Sequence, residues 1–239
     1  MKLSIVATLY RSAPYIAEFC QRAANAARQV VGNEYEIVLV NDGSPDNSLE
    51  LAVRLAQADS HVVVVDLSRN FGHHKAMMTG LAHAKGERVF LIDSDLEEDP
   101  AWLVEFSERM ATERCDVVYG VQEKRKGGLL ERWSGQWFYR LFRGVTGISL
   151  PENVVTARLM SRRYVQSLLQ HEEREVCLAG LWVITGFDQV EHVIHKQSTS
   201  ESTYTFSKKM ALLVNSITSF SNAPLRGIFY FGVLVSSLS

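Results

Sequence analysis

Short aliphatic runs recur through the first half of the chain: LSIVATLY, EIVLVND, VVVVDL, RVFLID and DVVYG. Each of the first four is followed by a stretch of helical length. The first helix is expected from about Pro14 to Val31. The second covers SPDNSLELAVRLAQA, with Ser44 or Asp46 as its cap and Pro45 near its first turn. The third covers FGHHKAMMTGLAHAKG and stops at Gly86, and the fourth covers AWLVEFSERMA. Strands that are apolar on both faces must be covered on both, so the pattern predicts an α/β fold with a mainly parallel sheet between helical layers. A length of 239 residues holds one large domain with an appendage. Ligands of such sheets bind outside the carboxyl ends of the strands. That rule directs attention to Thr8–Arg11, Asn41–Ser44, Ser68–Gly72 and Asp93–Asp99.

Several classes of protein are excluded early. With 46% hydrophobic and 22% charged residues the chain is neither disordered nor fibrous. A formal charge of −2 offers no footprint for a nucleic-acid duplex. Cys20, Cys115 and Cys177 form neither a disulfide framework nor a zinc box, which suits a reducing, cytosolic setting. MKLSIVATLY runs straight into YRSAPYIAEF without a cleavage site, so it does not read as a secretory leader.

Past Gly120 the pattern changes. LLERWSGQWFYRLFRGV is expected to be an amphipathic helix, with Leu130, Trp133, Trp137, Leu141 and Val145 on one face and Arg132, Gln136, Arg140 and Arg143 on another. FSKKMALLVNSITSF carries a second such stripe, and Ile228–Val235 is uninterrupted and apolar. Two amphipathic segments before an apolar tail suit either packing on the domain or contact with a membrane surface. The tail alone is shorter than the roughly 20 residues a spanning helix needs.

Three clusters could carry chemistry. In LIDSDLEEDP, Asp93 and Asp95 stand two apart at a strand end, so the backbone can aim both carboxylates the same way. Glu97 continues the series, while Glu98 and Asp99 are expected to cap the next helix. Such carboxylates suit Mg²⁺ or Mn²⁺, with phosphate oxygens completing the shell. In LVNDGSPDNS, Asp42 ends a strand where it can accept hydrogen bonds from a base or ribose, and Gly43 allows a sharp turn. In RNFGHHKAMMTG, Asn70 and Gly72 precede a helix whose N-terminus can face an anion. His73 and His74 are adjacent, poor spacing for metal ligands, and are read as structural.

Taken in order, these motifs resemble the inverting family 2 glycosyltransferases with the GT-A, Rossmann-like fold. The resemblance is strongest to the branch of dolichol-phosphate mannose synthase and the bacterial polyprenyl-phosphate glycosyltransferases. It covers essentially the whole chain, through TLYRSAPYI, VNDGSPDNS, SRNFGHHKAMMTGLAHAKGE, DSDLEEDP, GVQEKRKGG, FYRLFRGVTGISLPENV, ARLMSRR and TSESTYTFSKKM to SFSNAPLR. It implies a GT-A domain over residues 1–205 and a juxtamembrane segment over 206–239, with transmembrane helices following in a longer protein. It implies transfer of a sugar from a UDP-, GDP- or dTDP-linked donor to undecaprenyl or dolichyl phosphate at the cytoplasmic face of the inner (plasma) membrane. A further copy of the chain is a candidate partner.

The resemblance also distributes roles. Asp42 would contact the nucleobase, with Thr8, Tyr10, Asn70 and Gly72 around the donor. Asp93 would contact the donor, and Asp95 and Glu97 would hold Mg²⁺ or Mn²⁺ against its pyrophosphate. Arg125 and Arg132 would hold phosphate on the donor or the lipid acceptor, which guanidinium does bidentately, and Arg158, retained from the family pattern, joins them, Asp93 and Asp95 in the catalytic set. Two departures stand out. Thr156 occupies the place of a carboxylate common in relatives, and Gln197 and Ser200 replace an Arg and a Gly, leaving Lys196 or Lys208 as substitutes. They fit either an altered donor or an inactive, nucleotide-sugar-binding relative. A third alternative, transfer to a saccharide or protein hydroxyl, requires a general base, for which Glu172 or Glu173 is the loose candidate.

Overall fold

Every aliphatic run of the first half becomes a strand. In the computed structural model, which describes residues 1–122, 140, 142–147, 149–171, 178–194, 221 and 223–238, these strands are β1 (Leu3–Leu9), β2 (Tyr35–Asn41), β3 (Val62–Asp66), β4 (Arg88–Leu91) and β5 (Val117–Gln122). Helices α1 (Ile16–Val31), α2 (Ser48–Ala58), α3 (His73–His83) and α4 (Trp102–Glu113) connect them. All seven residues of β1 and of β2 are buried, the property that made their runs continuous.

Two further strands complete the sheet. β6 (Val154–Ser161) and β7 (Gln189–Ile194) lie in the half of the chain for which only helices were expected, and α5 (Arg162–Leu168) follows β6. The strand order is β3-β2-β1-β4-β6-β5-β7. β6 runs antiparallel between β4 and β5, and the remaining pairings are parallel. β6 escaped notice because Thr156 and Arg158 interrupt its apolar run, and both prove to face specific partners rather than solvent.

Helix packing follows from spacing. α1 buries Ile16, Phe19, Cys20, Ala23 and Ala27 along one face. α3 lies so close to the sheet that a Cβ on Gly80 would come within 2.4 Å of Val6 Cγ1 and 2.9 Å of Val40 Cγ2. α4 packs Phe106 edge-on against Phe90 of β4 at 5.9 Å between centroids. Asp99 starts α4 by accepting the Ala101 amide at 2.9 Å.

Met1–Lys124, Glu152–Glu172 and Thr185–Thr199 make one compact unit, which contains the whole sheet. Arg125–Pro151, Glu173–Ile184 and Ser200–Ser239 make a second. The second contains α6 (Leu178–Ile184) and α7 (Ala223–Leu238). The large apolar side chains of α7, from Leu225 to Leu238, are 50–80% exposed. No helix among the described residues is long and apolar enough to cross a membrane. Both amphipathic stretches expected from the sequence fall largely outside the described residues.

A buried carboxylate closes the far end of the sheet. Asp116 accepts Ser161 Oγ at 2.7 Å, and Arg163 Nε and Nη2 at 2.5 Å each. The paired guanidinium of Arg163 outweighs burial and holds this carboxyl below the usual aspartate range. A depressed folded-state pKa gives stability that is present above the unfolded value of about 4 and lost as pH falls through the folded one. Asp116→Ala is therefore expected to cost about 1–3 kcal/mol at pH 7 in urea unfolding. Its difference from wild type should narrow below about pH 4. An equal loss at both pH values would contradict the assignment.

Candidate active site

The loops leaving β1 to β4 converge on one end of the sheet. A pocket of about 210 Å³ opens there, lined by Thr8, Tyr10, Asp42, Asn70, Gly72 and His73. Of these residues, only His73 was not a sequence-predicted binding residue.

Asp42 organises the pocket floor. It is 2% exposed. Its Oδ1 accepts the Phe71 amide at 2.7 Å and its Oδ2 the Gly72 amide at 3.1 Å. These charge-assisted bonds tie the loop after β3 to the end of β2. Gly43 makes the approach possible: its φ is +59°, and a Cβ there would stand 2.4 Å from the Asn70 nitrogen. Asp46 accepts the Ser48 amide at 3.2 Å just before α2, whose N-cap is Asn47 and not the expected Ser44 or Asp46. At the rim Tyr10 and Phe71 are exposed. The Arg69 guanidinium lies 4.2 Å from the Phe71 ring centroid, within cation–π range.

His73 and Thr156 flank Asp93. His73 is the first residue of α3. Its Nδ1 lies 3.0 Å from Thr8 Oγ1 and its Nε2 3.3 Å from Asp93 Oδ1. Burial alone would lower the imidazole pKa, but the adjacent Asp93 carboxylate, with the charges of Asp42 and Glu98, raises it. His73, read from the sequence as structural, lines the pocket beside Asp93. The available signal was its position directly after Gly72, where the third strand hands over to a helix. Across the carboxylate, Thr156 Oγ1 donates to Asp93 Oδ2 at 2.9 Å. Strand register explains this contact: Leu91 pairs with Arg158, so two more antiparallel steps bring Thr156 alongside Asp93.

Asp95 is exposed, and its Oδ1 accepts the Glu97 amide at 3.0 Å. Leu96 between them has φ +62°, turning the chain sharply at this point. Among the described residues no three His, Cys, Asp or Glu side chains form a metal site built from protein alone. The chemistry of Asp95 and Glu97 nevertheless fits Mg²⁺ or Mn²⁺, which are commonly held by one or two carboxylates together with substrate phosphates.

Glu98 and Arg158 lie beneath this surface. Glu98 is 1% exposed and accepts the Thr156 amide at 3.0 Å, so it is a buried anchor and not the expected helix cap. Arg158 is 1% exposed. Burial pulls its guanidinium down to about 9, against the raising charges of Tyr164 and Glu98, so it stays protonated at neutral pH. It is buried and does not line the pocket, although the resemblance placed it among the catalytic residues. Arg125 and Arg132 lie outside the described residues, as do Glu172, Glu173, Lys196, Gln197, Ser200 and Lys208.

The model of the family described as glycosyl transferase family 2 matches residues 4–169, which span β1 to α5 and every pocket residue. The chain belongs to glycosyl transferase family 2. A Mycobacterium tuberculosis protein named as a glycosyltransferase is 52% identical over 239 residues, which are 100% of this chain and 70% of its own. The bactoprenol glucosyl transferase of Shigella phage SfV is 32% identical over 241 residues, covering 100% of this chain and 78% of its own. Among solved structures, the mannosyltransferase PcManGT from Pyrobaculum calidifontis, in complex with GDP-Man and Mn²⁺, matches with a TM-score of 0.57 at 18% identity. That match covers 85% of this chain and 58% of the other. The likeness is one of fold: this family 2 glycosyltransferase has the GT-A arrangement, a mostly parallel sheet with flanking helices.

Proposed function

We propose that this glycosyltransferase moves a sugar from a nucleotide-sugar donor to a polyprenyl phosphate, with inversion and with a divalent cation. The observation that carries the reading is the convergence of Asp42, Asp93 and Asp95 at the carboxyl ends of β2 and β4, beside a pocket large enough for part of a nucleotide. Similarity over the whole of this chain to a bactoprenol glucosyl transferase supports the acceptor class. The complex of PcManGT with GDP-Man and Mn²⁺ supports the donor class and the use of metal.

In this reading Thr8, Tyr10, Asn70 and Gly72 enclose the nucleoside, and Asp42 shapes its base site. Asp93 accepts hydrogen bonds from the donor. Asp95 and Glu97 would hold Mg²⁺ or Mn²⁺, which when bound offsets negative charge on the diphosphate. The acceptor phosphate, with a second pKa near ~6, is largely ionised at neutral pH and needs no strong base. Attack on the face of the anomeric carbon opposite the leaving diphosphate inverts its configuration. Positioning and electrostatics then account for most of the rate. Arg125 and Arg132 supply phosphate-binding cations. Arg158, being buried, supports the carboxylate layer from below.

The exposed apolar side chains of α7 suit a lipid surface, which is where a polyprenyl chain presents its phosphate. The proposed setting is the cytoplasmic face of the plasma membrane. A transfer assay tests the reading, with labelled UDP-glucose and GDP-mannose and undecaprenyl phosphate in anionic vesicles containing Mn²⁺. Label is expected in the lipid phase with one donor. Transfer only to a free saccharide or a protein hydroxyl would overturn it.

A further inference from the structure

The geometry points to His73 and Thr156 as a pair of positioning residues that clamp the Asp93 carboxylate from opposite sides and thereby set donor affinity. The inference rests on the donor role proposed for Asp93. Three elements meet in the clamp. Thr156, on β6, donates to Oδ2 at 2.9 Å, and His73, at the start of α3, places Nε2 3.3 Å from Oδ1. Thr8, at the end of β1, orients the ring from its other nitrogen at 3.0 Å. The ring faces the carboxylate through Nε2 while Nδ1 pairs with the Thr8 hydroxyl, so both nitrogens are placed by neighbours on other elements.

The backbone makes the clamp stiff. The Thr156 amide is itself fastened to buried Glu98 at 3.0 Å, which fixes its hydroxyl relative to Asp93. Ser94, the next residue after Asp93, is buried and donates to the Thr8 carbonyl at 2.8 Å. Thr8, Asp93 and Thr156 are thus joined through main chain as well as side chains. A carboxylate that stands at a strand end, bonded at one oxygen and faced by an imidazole at the other, has little rotational freedom left to lose when a ligand arrives. Neither flanking residue needs to touch the donor for its removal to weaken binding.

Paired substitutions separate this role from simple structural support. Gln places its terminal amide where His carries Nε2, and Asn where His carries Nδ1. His73→Gln therefore retains a polar group facing Asp93, and His73→Asn retains only the side facing Thr8. Thr156→Ser keeps the hydroxyl and Thr156→Val removes it at nearly constant volume. Calorimetry with UDP-glucose and with GDP-mannose, each with Mn²⁺, is expected to show Kd about tenfold or more weaker in His73→Asn and Thr156→Val. His73→Gln and Thr156→Ser should stay near wild type, with Tm equal across all four. A ligand-free readout accompanies this: the ring ¹⁵N shifts of His73 should move when Asp93→Asn is introduced.

Variants that all bind like wild type would overturn the clamp, as would His73→Gln losing as much as His73→Asn, or ring shifts indifferent to Asp93→Asn. A wild-type chain that binds neither nucleotide sugar would instead overturn the donor reading, and this role along with it.

Discussion

Asp95→Ala is expected to lower kcat by at least about a hundredfold while leaving the fold intact. Both halves of that statement come from the position of the side chain. Asp95 is exposed and makes a local bond to the Glu97 amide, so its removal exposes no core and strands no buried charge. Substitutions of that kind usually stay within about 0.5 kcal/mol, which in a chain of this size is about 2 °C in Tm. The catalytic cost arises because Asp95 is exposed, unlike Asp42 and Asp93, and so is placed to share a cation with diphosphate oxygens. Steady-state rates with the preferred donor, together with a thermal melt, check the result. Wild-type turnover would remove Asp95 from the mechanism, and a large drop in Tm would show that its role is structural.

The largest stability effect is expected beneath the site. Arg158→Met keeps the length of the side chain but leaves Glu98, 1% exposed, without the guanidinium whose charge acts on it. Removing a buried charge that acts on another buried charge typically costs about 3–5 kcal/mol, because the low-dielectric interior screens the loss poorly. In a chain of this size that is a loss of roughly 6–20 °C in Tm. The double variant Arg158→Met/Glu98→Gln should recover most of it, since neutral groups of similar volume replace a buried pair at little cost. Urea unfolding of wild type, both single variants and the double gives the coupling directly. Additive losses would show that the two residues do not act as a unit.

The position of the pocket was legible in the sequence for a physical reason. Strands buried on both faces leave long aliphatic runs, and the rule that ligands sit at their carboxyl ends then points to Thr8–Arg11, Asn41–Ser44 and Ser68–Gly72, which contain five of the lining residues, and to the neighbouring Asp93–Asp99. What escaped detection depended on the register of a strand that does not look like one. Thr156 and Arg158 break the apolar pattern of β6, yet they lie two apart on its backbone, one beside Asp93 and the other buried near Glu98. Glu98 was misjudged for the same reason: its partner, the Thr156 amide, is 58 residues away in sequence. His73 illustrates a different limit. Its neighbour His74 suggested a pair with no useful spacing, whereas its contacts to Thr8 and Asp93 come from α3 packing over the ends of β1 and β4.

The central claim is that the carboxylates at the ends of β2 and β4 form a metal-assisted nucleotide site. The most direct test is calorimetric titration of the chain with UDP and with GDP, each with and without Mn²⁺, in wild type and in Asp95→Ala. The account expects one of the two nucleotides to bind, only when Mn²⁺ is present, and binding to be lost in the variant. Binding that is indifferent to Mn²⁺ and to Asp95, or no binding of either nucleotide, would contradict it.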